Sequence, residues 1–499
     1  MSAPPQIASQ LAVPVSSLEQ ERRRDFGDWL SPILVKELRQ ALRSRVFITL
    51  FLVLQVALVY FVMQNSTAES FAGSNTYTAL FWTLVGLVLL IFVPVMSVNA
   101  VASEFGGSRL ELLTLSRLSA RGIVRGKWLA SFGQALLLAI TLFPYLIIRY
   151  YIGSVDLVRE LQILALMLLA CGMLTAGALV LSTIRGRILR TVAVVFVLVP
   201  SLLGLLGGAI DASQSSVSLT DDTGGFLPLL AICVFYAVTG ILLLWEIAAS
   251  QFAPAAENHE TTKRLLCTAM VVVSTILYLS RFYDGFAYSI GFIALAVTTL
   301  DATLRSPVFL PTLYRPFVRR GLFGRWIGRL LLYPGYVTGL IFAVLAWTGY
   351  NLVGIVHERS FEWLAPGFIG ILSVPLAFRC VTKLRAIEPF WQFILVHAVL
   401  LVASGILLSL IHNLADTTTG IVGFFPLTYI FVFGELRFNQ ENLAIVLSIL
   451  VALSTVLVVL LTRKGDLGRF RKAEAKALEL IAEAQRESAT AADGTASKA

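Results

Sequence analysis

Apolar stretches of about twenty residues recur along the whole chain, broken by short polar connectors, and a helix needs about that many residues to cross roughly 30 Å of hydrocarbon. Their limits read 46–64, 79–101, 127–148, 161–181, 191–208 and 227–249 in the first half. In the second half they read 265–280, 286–301, 331–352, 364–379, 390–411 and 442–462. One further run, 421–434, reaches only about 21 Å at 1.5 Å per residue, so it is expected to re-enter or to lie outside the bilayer. The pattern predicts an all-α polytopic membrane protein with about 12 transmembrane helices.

Two connectors depart from this background. Residues 29–45 read WLSPILVKELRQALRSR. Ser31 before Pro32 fits an N-cap and first helical turn. Leu30, Ile33, Leu34, Leu38, Ala41 and Leu42 then recur at three- and four-residue steps, with Lys36, Arg39, Gln40 and Arg43 on the opposite arc and Glu37 between. A helix with one apolar and one cationic face is expected to lie in the membrane interface. Residues 102–127 read ASEFGGSRLELLTLSRLSARGIVRGK. After the Gly106-Gly107 break, Leu110, Leu112, Leu113 and Leu115 alternate with Arg109, Glu111 and Arg117, close to Glu104, which predicts a short amphipathic helix. A link of this length exceeds most helix–helix connections and suggests a docking surface.

Charge sets the orientation. With twelve spans and both termini cytoplasmic, all but five of the 39 Lys and Arg residues face the cytoplasm, the exceptions being Arg149, Arg159, Arg281, Arg359 and Arg437. That asymmetry is the one short membrane loops display, and it predicts a multi-pass membrane protein with both termini cytoplasmic. A thirteenth span at 421–434 would turn the basic tail outward. The net charge of +9 then reads as a basic face against anionic lipid, with no need of nucleic acid. The densest basic stretch, 305–329, is expected on the membrane surface. Overall, 57% of residues are hydrophobic and only 14% charged, against about 25% charged in soluble domains. This excludes a disordered chain, a disulfide scaffold and a conventional soluble enzyme. Cys171, Cys233, Cys267 and Cys380 are isolated within or beside apolar runs and form no redox or zinc pattern.

The residues at 31–47, those at 104–119 and the pair Gly126-Lys127 leading into an apolar span together resemble the membrane subunit of an ABC-2 type transporter. The resemblance covers about 28–205 and thins after 250; Arg109 before the Leu-Glu-Leu-Leu stretch and Arg117 in place of proline depart from the family pattern. It implies an interface helix at 29–45, with Lys36, Glu37, Arg39 and Arg43. It also implies a coupling helix between spans two and three, with Glu104, Arg109, Glu111, Leu112, Leu113 and Arg117 facing a separate ATPase. A flexible segment (1–28), a six-helix domain (29–250), a second membrane half (251–462) with a basic loop at 301–330, and a tail (463–499), partly helical and then disordered, complete the expected division.

The chain carries no G-x-x-x-x-G-K-[ST] phosphate loop. A permease of this class therefore binds no cofactor itself, and ATP with magnesium belongs to a partner ABC ATPase, alongside a second permease copy or a related permease. No zincin or nucleophile-elbow pattern points to catalysis. Polar groups at membrane depth are few: Asn99, Gln134, Gln392 and His397. Pro94, Pro144 and Pro200 interrupt apolar helices, and Gly172, Ala176 and Gly177 form a small-residue face suited to close packing. Two other readings remain: an ion-coupled carrier, which needs an acid or histidine near midplane, and a membrane scaffold without transport.

Overall fold

The computed structural model describes residues 32–67, 71–98, 119–153, 156–183, 226–251, 257–280, 309–329 and 464–496, with isolated positions between them such as 253, 301 and 333. The expected spans 191–208, 331–352, 364–379, 390–411 and 442–462, the run 421–434 and the segments 1–28 and 102–118 lie outside the described residues or largely so, as does half of 286–301.

Among the described residues every regular element is helical. In chain order these are α1 (Pro32–Leu42), α2 (Arg45–Thr67), α3 (Phe71–Gly86), a π-helical stretch (Leu87–Phe92), α4 (Val93–Ser97), α5 (Ala120–Gly153), α6 (Leu157–Ser182), α7 (Phe226–Ala249), α8 (Glu260–Leu279), α9 (Pro311–Val318), α10 (Gly321–Ile327) and α11 (Lys464–Ala496). Six stretches are long and apolar enough to cross a membrane: Arg45–Gln64, Thr78–Ser97, Ala120–Tyr151, Leu157–Ser182, Leu227–Ala249 and Glu260–Leu279. They answer to the expected spans one to four, six and seven.

The bundle packs as a layered set in which α2 meets α3 and α5, α5 meets α6, α6 meets α4 and α7, and α7 meets α8. Two apolar cores fill it. The first joins Leu58, Phe81, Trp82, Leu89, Leu138 and Leu164 of α2, α3 with its π-helical continuation, α5 and α6. The second joins Val124, Trp128, Leu179, Ile247, Cys267 and Met270 of α5 to α8. The outer faces are equally apolar: Leu52, Val53, Val56 and Met63 of α2 and Ile140 of α5 are exposed. Only a hydrocarbon solvent accommodates such a surface without an aggregation penalty.

Helix ends differ from the apolar windows for local reasons. α5 runs 34 residues rather than the expected 22, so at 1.5 Å per residue it is about 51 Å long and overreaches the hydrocarbon by some 20 Å. Its first turns carry Arg121, Arg125 and Lys127 and continue the helix without continuing the hydrophobicity. Pro144 lies inside α5, while Pro94 falls in the first turn of α4, just after the π-helical stretch. There a proline's missing N–H costs least, because the helical bonding ladder is already interrupted.

Candidate functional site

The small face on α6 is a hub between helices rather than an outer seam. A Cβ added at Gly172 would sit 3.4 Å from Ile241 and Phe132 and 3.5 Å from Trp128, in ordinary contact, while Gly177 faces open space. Trp128 stacks on Phe132 with ring centroids 4.8 Å apart, meets Trp245 edge-on at 5.0 Å, and donates its Nε1–H to the Gly172 carbonyl at 2.9 Å. This ties α5, α6 and α7 together at the residue next to Lys127.

Lys127 is where α1 is fastened. α1 turns Leu34, Leu38, Ala41 and Leu42 inward and leaves Lys36, Arg39, Gln40 and Arg43 exposed, as the periodicity predicts. Glu37 accepts from Lys127 Nζ at 3.2 Å, with the lysine side chain 2% exposed and the glutamate 22%. Leu38 lies 3.5 Å from the position a Cβ would take on Gly133. α1 thus lies along α5 from Lys127 to Gly133, and its basic arc faces away from the bundle.

The same end of the bundle gathers a longer polar chain. Arg121 Nε meets Glu246 Oε1 at 2.7 Å, and Arg121 also donates to the Asn258 carbonyl and Thr262 Oγ1. Glu246 Oε2 and His259 Nδ1 are 2.7 Å apart, and His259 Nε2 faces Glu257 at 3.1 Å. Lys263 bridges Glu260 and Asp301, and Arg264 donates to the Tyr333 carbonyl at 2.7 Å. Charges on α5, α7 and α8 therefore close a collar where three helices begin or end. Among the described residues no cluster of histidine, cysteine and carboxylates is arranged to hold a metal ion.

Beside the collar, α9, α10 and α11 form a small packed unit around Tyr314, Phe317, Tyr333, Phe470, Ala473 and Ala477. α11 extends to Ala496, further than the helical spacing of its sequence suggests, and its inner face is docked rather than solvated. Glu474, 3% exposed, accepts from Arg325 Nε at 3.3 Å, from Arg329 Nη2 at 2.6 Å and from the Tyr333 hydroxyl at 3.3 Å. Burial alone would raise the Glu474 carboxyl, but hydrogen bonds and charge from Arg329, then Arg325, outweigh it and hold it below the usual range. Burial pushes the Tyr314 hydroxyl up to about 12, so it stays neutral.

At the opposite end one charge pair is buried among the described residues. Arg149 of α5 and Glu160 of α6 have side chains 1% and 3% exposed, with Nη2 and Oε1 3.0 Å apart. The guanidinium also donates to Thr78 Oγ1 at 2.9 Å and lies 4.2 Å over the Phe81 ring. Trp82 Nε1 and Arg149 Nη1 are both buried without a hydrogen-bond partner among the described residues. The expected reading of Arg149 as an outer-loop charge is corrected here. It is part of the helix, and its partner lies one short turn further along the chain.

Of the polar positions expected at membrane depth, Gln134 is buried in α5, whereas Asn99, Gln392 and His397 lie outside the described residues, as do Glu104, Arg109, Glu111, Leu112, Leu113 and Arg117. A polar link the sequence reading missed joins Gln55 of α2 to α5: its Nε2 donates to Thr141 Oγ1 at 3.0 Å and its Oε1 accepts from the Tyr145 hydroxyl at 2.7 Å. The Thr141-Tyr145 spacing, one helical turn on α5, was the available signal, but the partner is 86 residues away. No family model, no curated protein and no solved structure matches this chain.

Proposed function

We propose that this chain is the permease subunit of an ATP-driven ABC exporter, moved by a separate cytoplasmic ATPase and working with a second permease copy or a related permease in the bacterial inner membrane. The observation that carries the reading is mechanical. α5 overreaches the hydrocarbon at the charged end, continues directly from the 102–119 segment, and is pinned to α1 by Glu37 and Lys127. A force applied to that segment would enter α5 at its projecting end and pass through the Trp128–Gly172 hub to α6 and α7. A driver that contacts both conformational states equally would shift neither, so the work has to pass through contacts of this kind.

The test is to purify the chain with its candidate ATPase and measure hydrolysis and assembly. Reversing Glu104 and Glu111 to lysine is expected to lower permease-dependent ATPase stimulation by about tenfold, within the span of ordinary coupling energies. Unchanged hydrolysis and unchanged assembly sink the reading. An ion-coupled carrier draws less support, because the buried acids in the described spans, Glu160 and Glu246, stand in the first turn of α6 and near the end of α7 and are already matched by Arg149 and Arg121.

A further inference from the structure

α10 shows two opposite faces. Gly324 and Gly328 lie against the rest of the unit so closely that a Cβ would run into the Phe317 carbonyl at one and the Tyr333 ring at the other. Gly321, at φ +73°, supplies the left-handed turn that folds α10 back on α9. The helix rotation that sets both glycines inward sends Leu322, Phe323 and Trp326 outward, and they are 81%, 77% and 69% exposed. Arg315, Arg319 and Arg320 are exposed beside them, whereas Arg325 and Arg329 are turned to Glu474.

The position of this face names its occupant. Tyr333 is bonded through its carbonyl to Arg264, four residues into α8, so the unit is fastened about 6 Å from the charged end of that span. This is headgroup depth, where tryptophan and arginine side chains collect in membrane proteins. We propose that α10 is a lipid-reading paddle: Leu322, Phe323 and Trp326 enter the leaflet at the charged end, Arg315, Arg319 and Arg320 bind the phosphates of anionic lipids, and α11 holds the paddle in that pose through Glu474. The proposal does not depend on ATP coupling.

The test uses the full chain in nanodiscs of phosphatidylcholine with or without phosphatidylglycerol. Cys171, Cys233, Cys267 and Cys380 are replaced by alanine, and a fluorophore is attached at Phe323→Cys or, as the solvated reference, at Thr312→Cys. The label at 323 is expected to be quenched by spin-labelled lipid and protected from aqueous iodide, with the reverse at 312. Removing phosphatidylglycerol, or converting each arginine to glutamine, is expected to weaken insertion, by about fivefold in the insertion equilibrium per arginine. Iodide access at 323 equal to that at 312 overturns the paddle and makes the face a wet docking surface for a protein. Insertion indifferent to both lipid charge and the three arginines overturns their assigned role, and insertion unchanged by Glu474→Lys overturns that of α11. Should the cysteine variants fail to fold, brominated-lipid quenching of the native chain against Trp326→Phe decides: a lost quenched component supports the paddle, and identical quenching refutes it.

Discussion

Two charge networks at opposite ends of the bundle are built differently. At one end Arg149 and Glu160 are sealed between α3, α5 and α6 with almost no exposure. At the other, Arg121, Glu246, His259 and Glu257 form a chain whose members range from 4% to 48% exposed. A buried pair has a large desolvation cost and tolerates no loss of one partner, while a partly solvated chain can exchange partners with water at little cost. The Arg149–Glu160 pair therefore behaves as a fixed joint and the Arg121–Glu246–His259–Glu257 chain as an adjustable one, set beside a Lys263–Asp301 pair as buried as the first.

The contrast can be broken most sharply at the fixed joint. Arg149→Met is expected to cost about 3–5 kcal/mol by stranding a buried carboxylate, whereas Arg149→Met with Glu160→Met should recover most of it; thermal unfolding in detergent reads both. If the single and double replacements are equally destabilising, the pair is not the joint. Next, Gly172→Leu drives a branched side chain against Trp128, Phe132 and Ile241 and should cost about 1–3 kcal/mol by overpacking, while Gly172→Ala is tolerated. Lys127→Met is expected to cost about 1 kcal/mol by removing a charged hydrogen bond to Glu37, and to raise protease cleavage within α1. Arg121→Gln, at the adjustable end, should stay below about 1 kcal/mol because that side chain is half exposed.

The smallest effect is a pH dependence at the docked tail. The folded state depresses the Glu474 pKa below its ordinary value of 4.5. A depressed carboxyl contributes stability that is fully present above the unfolded pKa and is lost as pH falls through the folded one. Tail docking should therefore be constant from neutral pH down to about 5 and weaken only as pH falls through 4.5 and below. Limited proteolysis within α11 across that range measures it, and Glu474→Gln is expected to remove the dependence.

What could be read beforehand, and what could not, divides along the same physical line. Hydropathy located α2 and α7 to within a few residues, because 46–64 and 227–249 are almost wholly apolar. It misjudged both ends of α5, where Arg121, Arg125 and Lys127 on one side and Arg149 on the other are helical but charged. An arginine scores as a connector until a carboxylate on the next helix neutralises it, and that information is pairwise rather than local. The faces of α1 were legible from spacing alone, but their anchor on Lys127 was not, since Glu37 lies 90 residues away. The hub at Gly172 was half legible: a small-residue face announced close packing, without saying that Trp128 would fill it.

The six-residue π-helical stretch at Leu87–Phe92 carries its own consequence. A wide turn of this sort accommodates an extra residue locally and so preserves the angular phase of the helix after it. Removing one residue there would let the helix tighten to regular pitch and would leave Val93 and Ser97, both buried, facing close to their present directions. The same deletion within the regular turns of α2 would find no such relief and would rotate every later residue of that helix by about 100°.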